Sequence, residues 1–380
     1  PIKFKGVNRH EHDPDEGHVV SEASMRKDIL RMKELNINAV RTFYPNHPRW
    51  YELCNEYGLY VVDEPNIDCD PNVELIEGLT ISNRGEWKKA FIQRMMRMVD
   101  RDKNQPSILI WGLGNGPGDG QNFESDYSLV KLFDPTRPVL FEMAGPKQST
   151  DFQCLNFPSL RSLVKTGNEK TSRPVLLTHY GKASGDSVLL FEAQWKQIDS
   201  IPSLAGGFLN LWSDQRMRRY RNGEMVFTYE TEDPKQQPVL LENAVVNPDR
   251  EGNPQATAIK NGYSPVQMEA QMTEKFVSVR LKNRFSFRDF SGLKGKVSWY
   301  LDGKLLKTEP FKIKSIIPGE SLVLYLPMPS EISKAEPISK GVLLDVIQEK
   351  ENSILPALHV ITSKAMGLVP APLPSPTEKK

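Results

Sequence analysis

Cysteine is scarce in this chain: 380 residues include three, Cys54, Cys69 and Cys154. Three scattered thiols make neither a disulfide framework nor the paired spacings of a zinc ribbon. They are expected as small buried apolar residues, and a reducing compartment is favoured. Net charge is equally small. Lys plus Arg total 49 against 48 Asp plus Glu, a formal +1, which gives no bulk field to attract nucleic acid or acidic lipid. No apolar run approaches the roughly 18 residues of a membrane span, so a soluble chain is expected. The sequence opens at Pro1 without an initiator Met or a charged-apolar leader. No targeting signal is read there, the compartment stays unassigned, and a fragment or trimmed product is expected.

What is present is enough for two cores, with 38% apolar residues over a length that suits two domains. Residues 1–245 alternate between short apolar strands and amphipathic helices. Met25, Ile29, Met32 and Leu35 fall on one helical face, and Gly58 is placed to end a helix through Trp50 and Leu53. Leu59-Tyr-Val-Val-Asp-Glu64 reads as a parallel strand covered on both faces. Phe91, Met95 and Met98 mark another helix, and strands follow at 107–113, 138–141, 174–178 and 206–212, with Val239-Leu-Leu241 as a candidate last strand. Seven or eight such repeats predict a closed α/β barrel, a TIM (β/α)8 fold. The first strand is not followed by the G-x-G-x-x-G of an open nucleotide-binding sheet.

The pattern changes after a linker at 246–259. From 260 to 365, runs such as Phe276-Val-Ser-Val-Arg-Leu281 and Ser321-Leu-Val-Leu-Tyr-Leu326 have strand length without helices between them. Asp302-Gly303 signals a tight hairpin. This segment is expected as an all-β immunoglobulin-like sandwich. The Pro-rich end, 366–380, is expected as an extended tail.

The barrel is organised around Ile108-Leu-Ile-Trp-Gly-Leu-Gly-Asn-Gly-Pro117, a buried strand that runs into a glycine-rich turn. The C-terminal tip of a barrel strand is where chemistry sits. Together with Gly6-Val-Asn-Arg-His-Glu-His12, Tyr44-Pro-Asn-His-Pro48, Tyr57-Gly-Leu-Tyr-Val-Val-Asp-Glu64, Arg101-Asp-Lys-Asn-Gln-Pro-Ser107 and Trp212-Ser-Asp-Gln215, this stretch resembles the long β-galactosidases of glycoside hydrolase family 2. The resemblance covers nearly the whole chain and implies a TIM barrel followed by an immunoglobulin-like sandwich, the middle of such an enzyme.

A retaining glycosidase needs a nucleophile and an acid/base, two carboxyl groups about 5–5.5 Å apart. The resemblance puts Gly116 at the acid/base position and His179, within Arg173-Pro-Val-Leu-Leu-Thr-His-Tyr180, at the nucleophile position. Neither residue type can do that work. The family's magnesium ligands correspond to Asp68, Asp70 and Gly116; two aspartates could hold hydrated magnesium weakly, though no cofactor is the main expectation. The family's active-site Tyr corresponds to Phe157, and a sugar-contacting His to Lys182. His10, Arg41 (which in the family orients the nucleophile), Asn115, Trp212 and Asn243 remain as a residual sugar pocket. Their bland role is to pack and hydrogen-bond at the barrel mouth. His10 and His12 lie two apart, but no third ligand is in view for zinc. His179 beside an Asp or Cys154 is expected to be structural and not a new nucleophilic centre.

The leading expectation is therefore a catalytically inactive β-galactosidase-like protein, a structural or interaction subunit of a larger assembly with other protein subunits as partners. Apolar residues at Leu189, Leu190 and Phe191 are candidates to face such a partner. One alternative is an active retaining glycosidase with relocated carboxylates drawn from Asp119, Asp186, Glu64 and Asp68. Another is a non-catalytic carbohydrate-binding protein that keeps Trp212 and His10 for a galactoside or other sugar.

Overall fold

The computed structural model describes residues 2–68, 80–115, 120–145, 149–170, 172–181, 187–221, 223–228, 244–253, 256–334, 340–352 and 354–367. The chain forms two compact units, Pro1–Tyr263 and Ser264–Lys380.

The first unit alternates strand and helix: β1 (Phe4–Arg9), α1 (Glu22–Glu34), β2 (Ala39–Thr42), α2 (Pro48–Tyr57), β3 (Tyr60–Asp63), α3 (Lys88–Asp102), β4 (Ile108–Gly112), α4 (Gln121–Phe133), β5 (Val139–Leu140), β6 (Gln153–Asn156), α5 (Leu160–Asn168), β7 (Val175–Tyr180), α6 (Ser187–Ser200) and β8 (Leu204–Leu209). Local chemistry sets the helix ends. The Ser21 hydroxyl accepts from the Ser24 N–H at the start of α1, which satisfies one orphan donor of the first turn. Pro48 opens α2, and Gly58, left-handed at φ 70°, closes it. Met25, Ile29 and Met32 on α1, and Phe91, Met95 and Met98 on α3, are buried against the sheet as their spacing predicts.

The eight strands lie in the order β5-β4-β3-β2-β1-β8-β7-β6, and every pairing is parallel. Ala39, Val62, Ile110, Leu140, Phe152, Leu176 and Phe208 form one cluster, as in a filled barrel interior. Among the described residues no ladder joins β5 to β6. Two side chains stitch that seam instead: the Asp151 carboxylate accepts from the Val139 N–H at 2.7 Å, and the Thr150 hydroxyl accepts from the Phe141 N–H at 3.1 Å. Among the described residues one backbone bond, Asp151 N–H to Val139 C=O at 2.8 Å, crosses the seam just before β6.

Two elements here were not legible from periodicity. β6 is short and only partly buried, so it carries no alternation, and α5 lies in a stretch to which no element is assigned above. The candidate strand at 239–241 lies outside the described residues; β6 supplies the count of eight instead. After the barrel strands come a hairpin of β9 (Met217–Arg221) and β10 (Glu224–Thr228), then α7 (Ala256–Gly262). The segment expected as a linker, 246–259, is not a free tether. Val246, Ala256 and Ile259 are buried in the barrel's outer core, because α7 packs on α6.

The second unit is antiparallel throughout: β11 (Val266–Met272), β12 (Phe276–Asn283), β13 (Leu293–Leu301), β14 (Lys304–Lys312), β15 (Ser321–Pro327), the short α8 (Ser330–Ser333), β16 (Lys340–Gln348) and β17 (Val360–Met366). Its sheets, β11-β12-β15 and β14-β13-β16-β17, enclose Val277, Val279, Leu281, Trp299, Val342 and Leu344. This is the three-plus-four arrangement of an immunoglobulin-like sandwich. Asp302 and Gly303 both take positive φ, 50° and 73°, at the β13–β14 hairpin, where a primed turn requires it. The tail from 368 onward lies outside the described residues.

Candidate active site

The C-terminal ends of β2, β3, β5 and β7 bring four charged or titratable side chains together. Arg41 comes from β2, Glu64 directly follows β3, Glu142 lies two residues past the Val139–Leu140 strand, and His179 is the penultimate residue of β7. Arg41 meets Glu64 through Nε to Oε1 at 2.7 Å and Nη2 to Oε2 at 3.2 Å, while Nη1 donates to the Thr178 carbonyl at 3.3 Å. Both side chains of the pair are 1% exposed. Arg41 Nη2 also lies 3.6 Å from Glu142 Oε2. Burial works against the charge on Arg41, but Glu64 and Glu142 outweigh it and keep the guanidinium protonated. Burial pushes the Glu64 carboxyl up, against the pull of Arg41.

The glycines of the central stretch make room for this arrangement. A Cβ at Gly112 would lie 2.2 Å from Glu64 Cγ, so the close approach of Glu64 excludes any larger residue there. Gly114, at φ +133°, would put a Cβ 2.7 Å from the Ile67 carbonyl.

Glu142 is the residue that the sequence reading missed. Its Oε1 accepts from the Asn156 amide, and its Oε2 sits 3.4 Å from His179 Nδ1. Burial opposes its ionisation, yet His179 and Arg41 prevail and bring the carboxyl to about 2. Burial lowers the His179 imidazole below its usual range, only partly offset by Glu142. At neutral pH the contact is therefore a carboxylate against a neutral ring. The signal was available: Glu142 follows an apolar strand at its C-terminal tip, the same position that drew attention to Asn115.

Around His179 runs a row of rings. His10 stacks on Phe43 with centroids 4.4 Å apart, Phe43 lies 5.7 Å from His179, and His179 lies 5.8 Å from Phe157. Phe157 is 41% exposed and holds a positive φ of 41°, with its N–H bonded to the His179 carbonyl at 2.8 Å. A side chain in that sparsely populated backbone region marks a site whose surroundings over-determine it. His10 is largely desolvated, which with neighbouring His18 and Arg9 lowers it to about 4.

The other candidates are placed as follows. Asn115 bridges to Asp68 in parallel register, its N–H bonded to the Ile67 carbonyl at 3.0 Å. Trp212 is 1% exposed, and its indole N–H donates to Asp28 at 2.8 Å; its ring is packed into the core and offers no open platform to a sugar. His12 is turned to the Arg216 carbonyl at 3.2 Å, apart from the His10 row. Phe191, offered above as a partner contact, is 3% exposed and packs on Tyr180 and Tyr263, whereas Leu190 is 41% exposed. Gly116, Asp119, Asp70, Lys182, Asp186 and Asn243 lie outside the described residues. Among the described residues no group of three or more His, Cys, Asp or Glu could hold a metal ion; of the magnesium candidates, Asp68 alone is described. Cys54 is buried and Cys154 half-buried, both free thiols; burial pushes Cys154 up to about 12, far from nucleophilic readiness. Among the described residues no helix is long and apolar enough to cross a membrane.

Residues 1–268 match the model of glycosyl hydrolases family 2, TIM barrel domain. The chain is 36% identical over 348 residues to a β-galactosidase of Vibrio cholerae serotype O1, covering 86% of this chain and 33% of that protein. It is 38% identical over 305 residues to a β-galactosidase of Klebsiella pneumoniae, covering 76% and 29%. The chain thus spans about a third of the length of the curated relatives it matches. A crystal structure of Ruminococcus gnavus β-glucuronidase superposes with a TM-score of 0.57 at 20% identity, covering 68% of this chain and 50% of that one, a likeness of fold.

Proposed function

Since this chain belongs to glycosyl hydrolase family 2, we propose that it is a β-galactosidase-like barrel that has lost glycoside hydrolysis and serves as a structural or interaction subunit of a larger assembly. One observation supports the reading: His179, which the family resemblance puts at the nucleophile position, is an uncharged ring packed between Phe43 and Phe157 and backed by Glu142. An imidazole there cannot form the glycosyl ester of the retaining mechanism. Arg41, whose charge would orient a nucleophile, is neutralised by Glu64 and Glu142. The same resemblance puts Gly116 at the acid/base position, where it would leave the second carboxyl without a counterpart.

Glu142 itself favours a second reading, in which it acts as a relocated nucleophile: it is ionised, lies at the barrel mouth and faces Arg41. Two facts weigh against this. Its side chain is 6% exposed, and Oε1 is taken by the Asn156 amide while Oε2 faces His179 Nδ1 at 3.4 Å and Arg41 Nη2 at 3.6 Å without a hydrogen bond.

The test is hydrolysis of a chromogenic β-galactoside, with and without magnesium, by the unmodified protein, by Glu142→Gln and by the Gly116→Glu/His179→Glu double variant. No turnover is expected from the first two. Turnover by the unmodified protein that vanishes in Glu142→Gln would overturn the proposal in favour of the relocated site. Turnover gained only in the double variant would show a pocket that lacks nothing but its acids.

A further inference from the structure

One face of α3 carries Arg94, Arg97 and Arg101 at i, i+3 and i+7, a spacing that aligns side chains along a helix. With Pro45, Asn66 and Met98 they line a cavity of about 350 Å³, within the roughly 300–1,000 Å³ that small-molecule sites occupy. Arg101 is fixed in place. Its Nε and Nη2 hold the Asp102 carboxylate at 2.8 and 2.6 Å, Nη2 also donates to the Asn46 carbonyl at 3.2 Å, and the guanidinium lies over Tyr51. Its Nη1 takes no part in these bonds. Arg94 and Arg97 are exposed, and among the described residues no carboxylate pairs with either. In a chain with 48 acids against 49 bases, two adjacent unpaired guanidiniums beside a third that is pre-oriented form a local excess of positive charge. The cavity walls, Pro45 and Met98, are apolar and sharpen the field within it.

We propose that this cavity is an oxyanion site that takes a small phosphate or sulfate ester. A tetrahedral oxyanion matches this donor set: guanidinium forks bind such oxygens in pairs, with more directional bonds than a lysine cluster would offer, and its negative charge, two on a phosphate monoester and one on a sulfate ester, offsets that of the unpaired arginines. The cavity has room for a ring attached to the anion, against Pro45 and Met98.

The experiment is calorimetric titration of the protein with inorganic phosphate and, separately, inorganic sulfate. Sodium chloride at matched ionic strength is the control, because exposed charge is screened by salt. Saturable binding is expected for at least one oxyanion, weakened at least tenfold in Arg94→Gln/Arg97→Gln, whose exposed positions leave the core untouched. The tighter of the two ions identifies the ester. Arg97→Lys keeps the charge but loses the fork, so an intermediate affinity is expected. Absence of saturable binding, or binding that chloride reproduces or the double variant retains, would overturn the proposal.

Discussion

Asp28→Ala is expected to cost about 3–5 kcal/mol of folding stability, the range for removing one partner from a buried ionic group. Asp28 is fully buried on α1. Its Oδ1 accepts from Arg250 Nε at 2.7 Å and Trp212 Nε1 at 2.8 Å, and its Oδ2 from Arg9 Nε at 3.1 Å. One carboxylate thus pairs with two buried guanidiniums and satisfies an indole. Arg9 also lies 3.7 Å above the Trp50 ring. Without Asp28, both cations stay buried and uncompensated, and neither can escape by losing a proton. Burial alone would raise the Asp28 carboxyl, but Arg250 and Arg9 outweigh it and hold it below 3.8. A depressed carboxyl stabilises the fold above its unfolded value and loses that contribution as pH falls through the folded one. The comparison belongs at neutral pH, by urea midpoints at constant slope. A loss below about 1 kcal/mol would mean that the guanidiniums find water or new partners.

Asp126 should act in the opposite sense. It is buried on α4, neither oxygen has a hydrogen-bond partner among the described residues, and burial raises its carboxyl from 3.8 to about 7. The group is harmless while protonated. Its contribution is fully present below about 4 and is lost as pH rises through about 7, since the folded state must then bury a bare charge. At about 1.4 kcal/mol for each pH unit between those values, the penalty above pH 7 reaches about 4 kcal/mol as an upper bound. Asp126→Leu is therefore expected to stabilise the protein strongly at pH 8 and little at pH 4. Asp126→Asn should remove the pH dependence but leave a buried amide unpaired. Parallel urea titrations at the two pH values decide it: an equal gain at both, or none at pH 8, would show that the carboxyl is already solvated or paired.

Much of the architecture was legible because periodicity and caps agree with the final packing. Met25, Ile29 and Met32 face the core that their spacing called for, and Gly58 takes the left-handed conformation that its position implied. What escaped was structure made by long-range contacts. β6 exists because it pairs with β7, although its own residues show no strand pattern. α7 belongs to the barrel because α6 offers it a surface. The site divided in the same way. His179 could be located from the resemblance, but no spacing announces that Glu142, 37 residues earlier in the sequence, reaches it across the mouth. Trp212 shows the converse: its motif suggests a sugar platform, yet a buried aspartate on α1 draws the indole into the core.

The seam between β5 and β6 gives Glu142 a further significance. Glu142 stands on one lip of that gap, just after β5, and Asn156, which donates to it, ends β6 on the other. The barrel is thus a split hoop, and this bond is a clasp at its upper rim, with Thr150 and Asp151 fastening it along the same edge. Cooperative opening begins where the fewest ladder bonds must break, so amide exchange in the barrel should be fastest along this edge. Whatever its part in chemistry, Glu142 then has a second role, as the fastener that keeps the hoop shut.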